Sequence, residues 1–300
     1  MHKARLRSLL PASAAAFLLV ACSDPEAGEP VSEAPEPLAL TFGPYAVQSG
    51  EEQDFCEYFE LEGDAPTYVT RLHQENLGRT HHAFLYKTTL DTPPGKGPCP
   101  DAAQKLFEST PLYAATAGQA PSEMPEGVAM VLEAGQKMFL NIHLLNVTGE
   151  ALSEEVTLTL DRGDPGRSWI PVGFFEFTTT DIHVPPHAEA SAGNSCVFGA
   201  DVSVVSITSH SHSRSTLVTA NLWDGAGPGE EVYRSTSWAE PAVTFFEDPP
   251  AIRYDHGLTF TCNYENTDAY QVDFGDSADD EMCYLLGYYY PGPDTIICAL

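Results

Sequence analysis

The chain contains 300 residues, of which 14 are Lys or Arg and 43 are Asp or Glu, so its formal net charge is −29. Nucleic acids and anionic membrane surfaces are poor partners for such an acidic chain, because like charges repel. The acidity indicates no chemistry by itself, since a solvated acidic surface keeps an exported protein soluble.

The first 21 residues are typical of an export signal. Lys3, Arg5 and Arg7 precede an apolar run, Ala14–Val20, that is too short to span a bilayer as a finished anchor. The run leads into Cys22 in a pattern that resembles the lipobox of bacterial lipoproteins, where cleavage leaves the cysteine as a lipidated N-terminus. An ordinary cleavage site beside an incidental cysteine is the alternative. We therefore expect a bacterial cell-envelope lipoprotein, periplasmic or on the outer surface, or else a secreted protein.

Residues 22–37 are rich in Pro and Glu and have almost no large apolar side chains. They predict an extended, solvated tether, because such a segment cannot bury a core. Without residues 1–21 the chain keeps 11 basic and 43 acidic residues, a formal charge of −32. We expect the membrane to be contacted through the N-terminal lipid alone, and the sequence gives no indication of oligomeric state.

Six of the seven cysteines remain once Cys22 is assigned to the lipid. An even number in an oxidising compartment predicts three disulfides, although the count alone leaves their pairing open. The absence of a C-x-x-C motif weakens the alternatives of a thiol-redox protein and a zinc ribbon. The six are Cys56, Cys99, Cys196, Cys262, Cys283 and Cys298.

Short segments rich in Val, Ile, Phe, Tyr and Thr recur between Gly, Pro and Asp residues, which predicts many short antiparallel strands and an all-β fold. A helix of a turn or two is expected only at Asp101–Phe107, where Asp101 would be the cap. The predicted strands are Thr67–Thr70, His82–Tyr86, Lys137–Val147, Val156–Leu160, Val202–Ile207, Leu217–Leu222, Leu258–Cys262 and Leu285–Tyr290.

The roughly 260 residues after the tether suit two domains of ordinary size. Turn-forming residues at Asp161–Arg167 separate the strand that ends at Leu160 from an apolar segment that begins at Trp169. The prediction is therefore two antiparallel β-sandwiches, jelly-roll-like, over residues 38–165 and 166–300.

Histidines are grouped in a way that suggests metal binding. His210 and His212 follow an apolar strand, and their two-residue spacing places both imidazoles on one face, as chelation requires. Two solvated side chains on an exposed strand are the alternative. His81 and His82 are adjacent, so both can bind one ion only if a bulge bends the backbone there; without one, one of them is merely structural.

Two further candidates have ordinary explanations when each is taken alone. His143 lies in the apolar run Met138–Leu145, where an imidazole needs a partner, and a backbone carbonyl would satisfy it. Met282 would by itself be core filler.

Taken together, these residues resemble the copper type II, ascorbate-dependent monooxygenases, the family of peptidylglycine α-hydroxylating monooxygenase and dopamine β-monooxygenase. The resemblance runs over nearly the whole mature chain and depends on the order and spacing of its elements. These are Asp54–Tyr58 with Cys56, His81-His82, Leu112–Ala114, Pro125–Gly127, Asn141–His143, Ile182–Pro186, Cys196, His210-x-His212, Cys262 and Asp280–Cys283.

The resemblance implies two copper ions. His81, His82 and His143 would hold the first, which stores and delivers an electron. His210, His212 and Met282 would hold the second, where oxygen binds and a substrate C–H bond is attacked. A thioether with imidazoles is a soft donor set that suits Cu(I) and fits zinc poorly. The family pattern also implies an ascorbate-like electron donor and the disulfides Cys196–Cys298, Cys262–Cys283 and Cys56–Cys99.

The sequence departs from the peptide-hydroxylating branch at the residues that grip the substrate carboxylate. Thr208, Tyr284 and Leu286 stand at those positions. Arg214 is close in sequence and is an alternative anchor of little weight, because it lies two residues beyond His212, at a different place on the strand from the missing arginine. Ala83 replaces a methionine beside the first site. A peptide carboxylate is therefore not expected as substrate. Four histidines, His73, His183, His187 and His256, have no place in the pattern and are interpreted as surface or structural residues.

The leading hypothesis is an enzyme that hydroxylates a small molecule with O₂ and an ascorbate-like reductant. The alternative is a copper-binding lipoprotein without turnover, which the missing substrate anchor favours. A zinc hydrolase that uses His81, His82 and His143 is weaker, because neither H-E-x-x-H nor G-x-S-x-G occurs.

Overall fold

The computed structural model describes residues 35–75, 80–101, 104–105, 108–115 and 121–299, and for residues 80–82 it describes the backbone alone. The predicted export signal, Cys22 and nearly all of the predicted tether lie outside the described residues. Within those ranges, no helix is long and apolar enough to cross a membrane. Residues 34–300 form one compact unit.

The prediction of an all-β fold is confirmed. The first half of the chain contributes eleven strands. These are β1 Leu38–Val47, β2 Glu52–Glu60, β3 Thr67–Glu75, β4 Thr80–Thr88, β5 Gly95–Gly97, β6 Ser109–Ala115, β7 Ser122–Glu123, β8 Val128–Leu132, β9 Lys137–Leu145, β10 Leu152–Arg162 and β11 Ile170–Pro171.

These strands form two sheets. One has the order β1-β10-β3-β8-β11, with β7 paired to β3, and the other has the order β5-β2-β9-β4-β6. All pairs are antiparallel except β11 with β8.

Strand β9 shows how the sequence determines which side chains face the core. Its Met138, Leu140 and Ile142 enter the first hydrophobic core, so Asn141 and His143 point to the opposite face.

The second half contributes twelve strands. These are β12 Gly173–Thr178, β13 His183–Val184, β14 Ala188–Val197, β15 Val202–His210, β16 Ser215–Trp223, β17 Pro228–Ser235, β18 Thr244–Phe245, β19 Ala251–Ile252, β20 Gly257–Asn266, β21 Val272–Asp273, β22 Tyr284–Tyr290 and β23 Thr295–Ala299.

One sheet has the order β18-β15-β22-β12-β23, with β19 paired to β15, a second has the order β14-β20-β16-β17, and β13 pairs with β21. A second core fills the space between the two larger sheets, with Phe175, Phe177 and Phe260 among its buried residues. Each half of the chain therefore has its own pair of sheets.

The two halves also share packing. Phe174, Leu286 and Tyr288 of the second half are buried in the first core, and the Tyr288 hydroxyl donates to the Leu112 carbonyl oxygen (3.0 Å). The division into domains at residues 165 and 166 stays a prediction, and the side chains across this junction are packed rather than separated by a linker.

Three disulfides are formed in the pairing that the family resemblance implied: Cys56–Cys99, Cys196–Cys298 and Cys262–Cys283. The last joins β20 to the residue that precedes β22. In the segment predicted as a short helix, Asp101 makes the capping contact, since the Gln104 N–H donates to its side chain (2.9 Å).

Candidate metal centre

His210 and His212 lie together at the end of a buried strand. His210 is the last residue of β15, both side chains are buried, and their ring centroids are 5.3 Å apart. The alternative of two solvated side chains on an exposed strand is therefore wrong. A pair of imidazoles buried at this spacing is suited to binding one metal ion.

The ring of His212 is oriented by a backbone carbonyl. Its Nδ1 lies 3.0 Å from the Asp280 carbonyl oxygen. Because a carbonyl only accepts, Nδ1 carries the hydrogen and the lone pair resides on Nε2. Burial lowers the pKa of the His212 imidazole, while the bond to Asp280 opposes this. The neutral imidazole is the form that binds metals, so the ring is prepared for ligation.

Met282 lies in a segment, residues 280–283, that is bonded to the His210–His212 turn. Its neighbours on the N-terminal side supply the Asp280 carbonyl and the Glu281 carboxylate that contact His212. The Tyr264 hydroxyl donates to the Met282 carbonyl oxygen (2.9 Å). The half-buried thioether of Met282 thus belongs to a segment held beside the two histidines.

Glu281 was not singled out from the sequence, yet it is completely buried. Its carboxylate accepts the backbone N–H groups of His212 (3.0 Å) and Arg214 (2.7 Å). Burial raises the pKa of the Glu281 carboxyl. Hydrogen bonds from the backbone N–H groups of Arg214, His212 and Met282 lower this pKa and so oppose the effect of burial. No local pattern in the sequence marks Glu281, because its neighbours Asp280 and Met282 are only partly buried and its donors lie almost seventy positions away.

The guanidinium of Arg214 is engaged in contacts within the protein. Its guanidinium donates twice to the Asp268 carboxylate (3.0 and 2.6 Å) and once to the Asp279 carbonyl oxygen (3.0 Å). These contacts fix the outer side of the same turn, because Arg214 follows His212 by two residues.

His143 belongs to the first predicted copper site and lies in β9. It is buried, and its Nε2 lies 2.8 Å from a carboxylate oxygen of Glu52, in the neighbouring strand β2. The partner is thus a carboxylate rather than the backbone carbonyl that was the ordinary explanation. Since an ionised carboxylate only accepts, Nε2 carries the hydrogen, which orients the ring and leaves the lone pair on Nδ1.

The backbone of β4 bends at the adjacent histidines. Thr80 is opposite Leu144 and His82 is opposite His143, so His81 is an extra residue in the pairing of β4 with β9. Such a bulge is the bend that ligation by both histidines requires. The side chains of His81 and His82 lie outside what the structure describes, so their ligation stays a prediction.

The two sites affect one another electrostatically. After burial, the charge of His143 lowers the pKa of His212 further, whereas Glu52 acts in the opposite direction. Charges on separate halves influence each other in this way only when they are close. His143 and His212, from separate halves of the chain, are therefore close enough to interact electrostatically.

The positions that differ from the peptide-hydroxylating branch lie beside His210. Tyr284 in β22 is directly opposite His210, with ring centroids 6.3 Å apart, and Leu286 is opposite Thr208. Glu176 in β12 pairs with Leu286 on the other side. Burial raises the pKa of Glu176 to about 7, and Lys105 opposes this. A carboxyl, a phenol and aliphatic side chains thus border the site.

Among the residues with described side chains, no group of three or more His, Cys, Asp or Glu is arranged to hold a metal ion. This finding is expected for both sites. Only His143 of the first predicted set has a described side chain, and the second set combines two histidines with a methionine. The two buried imidazoles and the half-buried thioether of the second set fit a soft ion such as Cu(I).

Comparison with protein families gives one match, to the copper type II ascorbate-dependent monooxygenase C-terminal domain over residues 173–300. This range contains His210, His212 and Met282. No curated protein matches the chain.

Among solved structures, the STIV MCP is similar at 10% identity, covering 86% of this chain and 97% of that chain, with a TM-score of 0.34. The PBSX exported protein XepA is similar at 11% identity, covering 84% and 86%, with a TM-score of 0.25. Similarities this low carry no argument about function.

Proposed function

We propose that this protein hydroxylates a C–H bond of a small molecule with O₂ and an ascorbate-like electron donor, because residues 173–300 match the copper type II ascorbate-dependent monooxygenase C-terminal domain. The observation that carries the proposal is the buried His210–His212 pair, bonded to the segment that contains Met282.

In this proposal, His210, His212 and Met282 hold the copper ion at which the substrate reacts, and His81, His82 and His143 hold a second copper ion. Bound copper supplies the one-electron chemistry by which one oxygen atom enters the substrate and the other leaves as water, with two electrons from the reductant.

The protein's own residues have three tasks. Burial excludes water from His210 and His212. The Asp280 carbonyl and the Glu52 carboxylate set which ring nitrogen of His212 and of His143 carries a lone pair. The Cys262–Cys283 disulfide fixes the residue next to Met282.

The proposed substrate is a small molecule rather than a peptide with a free C-terminal carboxylate. Thr208 donates to the Ala242 carbonyl oxygen (3.0 Å) and carries no charge that would bind an anion. Glu176, in the same row of the sheet as Thr208 and Leu286, would repel a carboxylate when ionised.

We further propose export and lipidation at Cys22. The three disulfides support an oxidising compartment. Radiolabelled palmitate incorporated into the wild-type protein but not into Cys22→Ser would support the anchor, and equal labelling would contradict it.

The central experiment loads the purified protein with copper and measures oxygen consumption with ascorbate and a panel of candidate small molecules. We expect substrate-dependent oxygen consumption, and we expect Met282→Ile to abolish it because the thioether donor is lost. Met130→Ile, which replaces a methionine of the first core, is the matched control and should remain active.

Two other results would decide against the enzyme. Copper binding without substrate-coupled turnover across the panel favours a copper-binding lipoprotein. Reconstitution with zinc and no copper favours a zinc hydrolase and contradicts both copper proposals.

A further inference from the structure

Glu281 is a charged residue in an unusual place, since its side chain has no exposed surface. An isolated carboxylate is very unfavourable in a protein interior unless hydrogen bonds and charges compensate for the lost water. The compensation here comes from the backbone N–H groups of His212 and Arg214. The segment that carries Glu281 is thus bonded to the segment that carries the two histidines.

One of the two donors to the Glu281 carboxylate, His212, is a predicted copper ligand. His212 donates its backbone N–H to Glu281, and the same residue's ring donates to the carbonyl oxygen of Asp280. The next residue after Glu281 is Met282. Both the backbone and the ring of His212 are therefore held by the two residues that precede the thioether donor.

A second layer of contacts keeps this arrangement rigid. The Glu281 backbone N–H donates to the Asp273 carbonyl oxygen (3.0 Å), and its carbonyl oxygen accepts from the Gly275 N–H (3.2 Å). On the other arm, Arg214 forms an ion pair with Asp268 (2.6 Å). Neither arm can shift without breaking a bond to Glu281.

We propose that Glu281 is a positioning residue that holds the two arms of the second copper site, the His210–His212 turn and the Met282 segment, in one geometry. This inference rests on the proposed function, because it concerns how the proposed copper site is assembled. Its carboxylate does not contact the copper ion. It fixes the direction in which His212 Nε2 and the Met282 sulfur point.

The test compares Glu281→Gln and Glu281→Asp with the wild-type protein. Glutamine keeps the size of the side chain but presents an NH₂ group to one of the two N–H donors, and aspartate keeps the charge but is one methylene too short to reach both. The matched control is Glu189→Gln, an exposed glutamate of β14 in the same half of the chain.

The first measurement is Cu(I) binding to the whole protein by competition with a chromophoric chelator, together with X-ray absorption of the loaded protein. Sulfur scattering reports the second site alone, because the first predicted site has only histidines. We expect both variants to bind copper at the sulfur-containing site about tenfold more weakly, a typical loss when a residue that orients a ligand is changed. Glu189→Gln should match the wild type.

The second measurement uses metal-free protein, where nitrogen NMR reports which ring nitrogen of His212 is protonated. The wild type should show the Nδ1–H form, and Glu281→Gln should show a mixture of both forms. This readout separates the two proposals. If the wild type binds no copper, the proposed function fails while the positioning of His212 is still measured.

Unchanged copper affinity, sulfur scattering and His212 tautomer in the two variants would overturn the inference. If only Glu281→Asp folds, the copper affinity and the His212 tautomer of that variant decide whether the inference holds. If neither variant folds with its disulfides formed, Glu281 serves the fold as a whole, and a specific role at the copper site is contradicted.

Discussion

The two predicted copper sites are built by different means. In the first, the register of one sheet brings the residues together. His143 and His82 are directly opposite on neighbouring strands, and Glu52 contacts His143 from the strand on the other side. The second is assembled where a strand ends, from His210, His212 and a segment that begins almost seventy residues later. A site set by sheet register needs little support from elsewhere, whereas a site between two segments depends on long-range contacts.

The largest expected effect that tests this comparison comes from the disulfides. Replacing both cysteines of Cys262–Cys283, which are 21 residues apart, should lower the free energy of unfolding by about 3 kcal/mol, because the unfolded chain regains entropy. Replacing Cys56 and Cys99, which are 43 residues apart, should cost about 4 kcal/mol. Chemical denaturation measures both.

The variant that loses less free energy of unfolding should lose more copper binding. Loss of Cys262–Cys283 should weaken the sulfur-containing site, since it frees the residue after Met282, and loss of Cys56–Cys99 should spare that site. If both variants bind copper at the second site as the wild type does, that site does not depend on long-range support, and the contrast drawn here is wrong.

A smaller effect is expected at the first site. Glu52→Gln should weaken copper binding there by about tenfold, because the amide holds the Nε2 hydrogen of His143 less strongly than a carboxylate does. Titration with Cu(I) should then show one weakened site and one of wild-type affinity. The matched control is Glu51→Gln, an exposed neighbour. Equal affinities in Glu52→Gln and the wild type would show that strand register alone sets this site.

The smallest effect concerns Glu176, at the border between the two regions. Burial raises the pKa of Glu176 from 4.5 to about 7, so the folded protein binds this proton more tightly than the unfolded chain does. Its contribution to stability is complete below pH 4.5 and is lost as the pH rises through 7.

As the pH rises from 5 to 8, the free energy of unfolding of Glu176→Gln should therefore rise relative to that of the wild type. We expect about 1 kcal/mol, less than the full shift implies because the side chain is only partly buried. Urea denaturation at both pH values measures the change. An identical difference between the two proteins at pH 5 and pH 8 would contradict the raised pKa.

The sequence predicted the elements of this fold better than the contacts between them. Short segments rich in β-branched and aromatic residues, such as Val202–Ile207, were enough to predict strands, because such side chains pack well on the pleated surface of a sheet. The spacing of His210 and His212 was enough to suggest a shared site. The resemblance to a family added the disulfide pairing, which the number of cysteines left open.

The supporting groups could not be predicted in the same way. Glu52 is 91 residues from His143, and Glu281 is 69 residues from His212. No local pattern relates residues so far apart, and each glutamate looks like one more acid in an acidic chain. The ordinary explanation for His143 named a backbone carbonyl as its partner for this reason, and only the pairing of β2 with β9 shows the carboxylate.

The packing of Phe174, Leu286 and Tyr288 into the core of the first half has a consequence for how a substrate arrives. A hinge motion that separated the halves would expose these side chains to water, at a cost of about 1.5–3 kcal/mol each. A state with the halves apart is therefore sparsely populated. In the proposed reaction, a small molecule would reach His210 while the halves stay packed together.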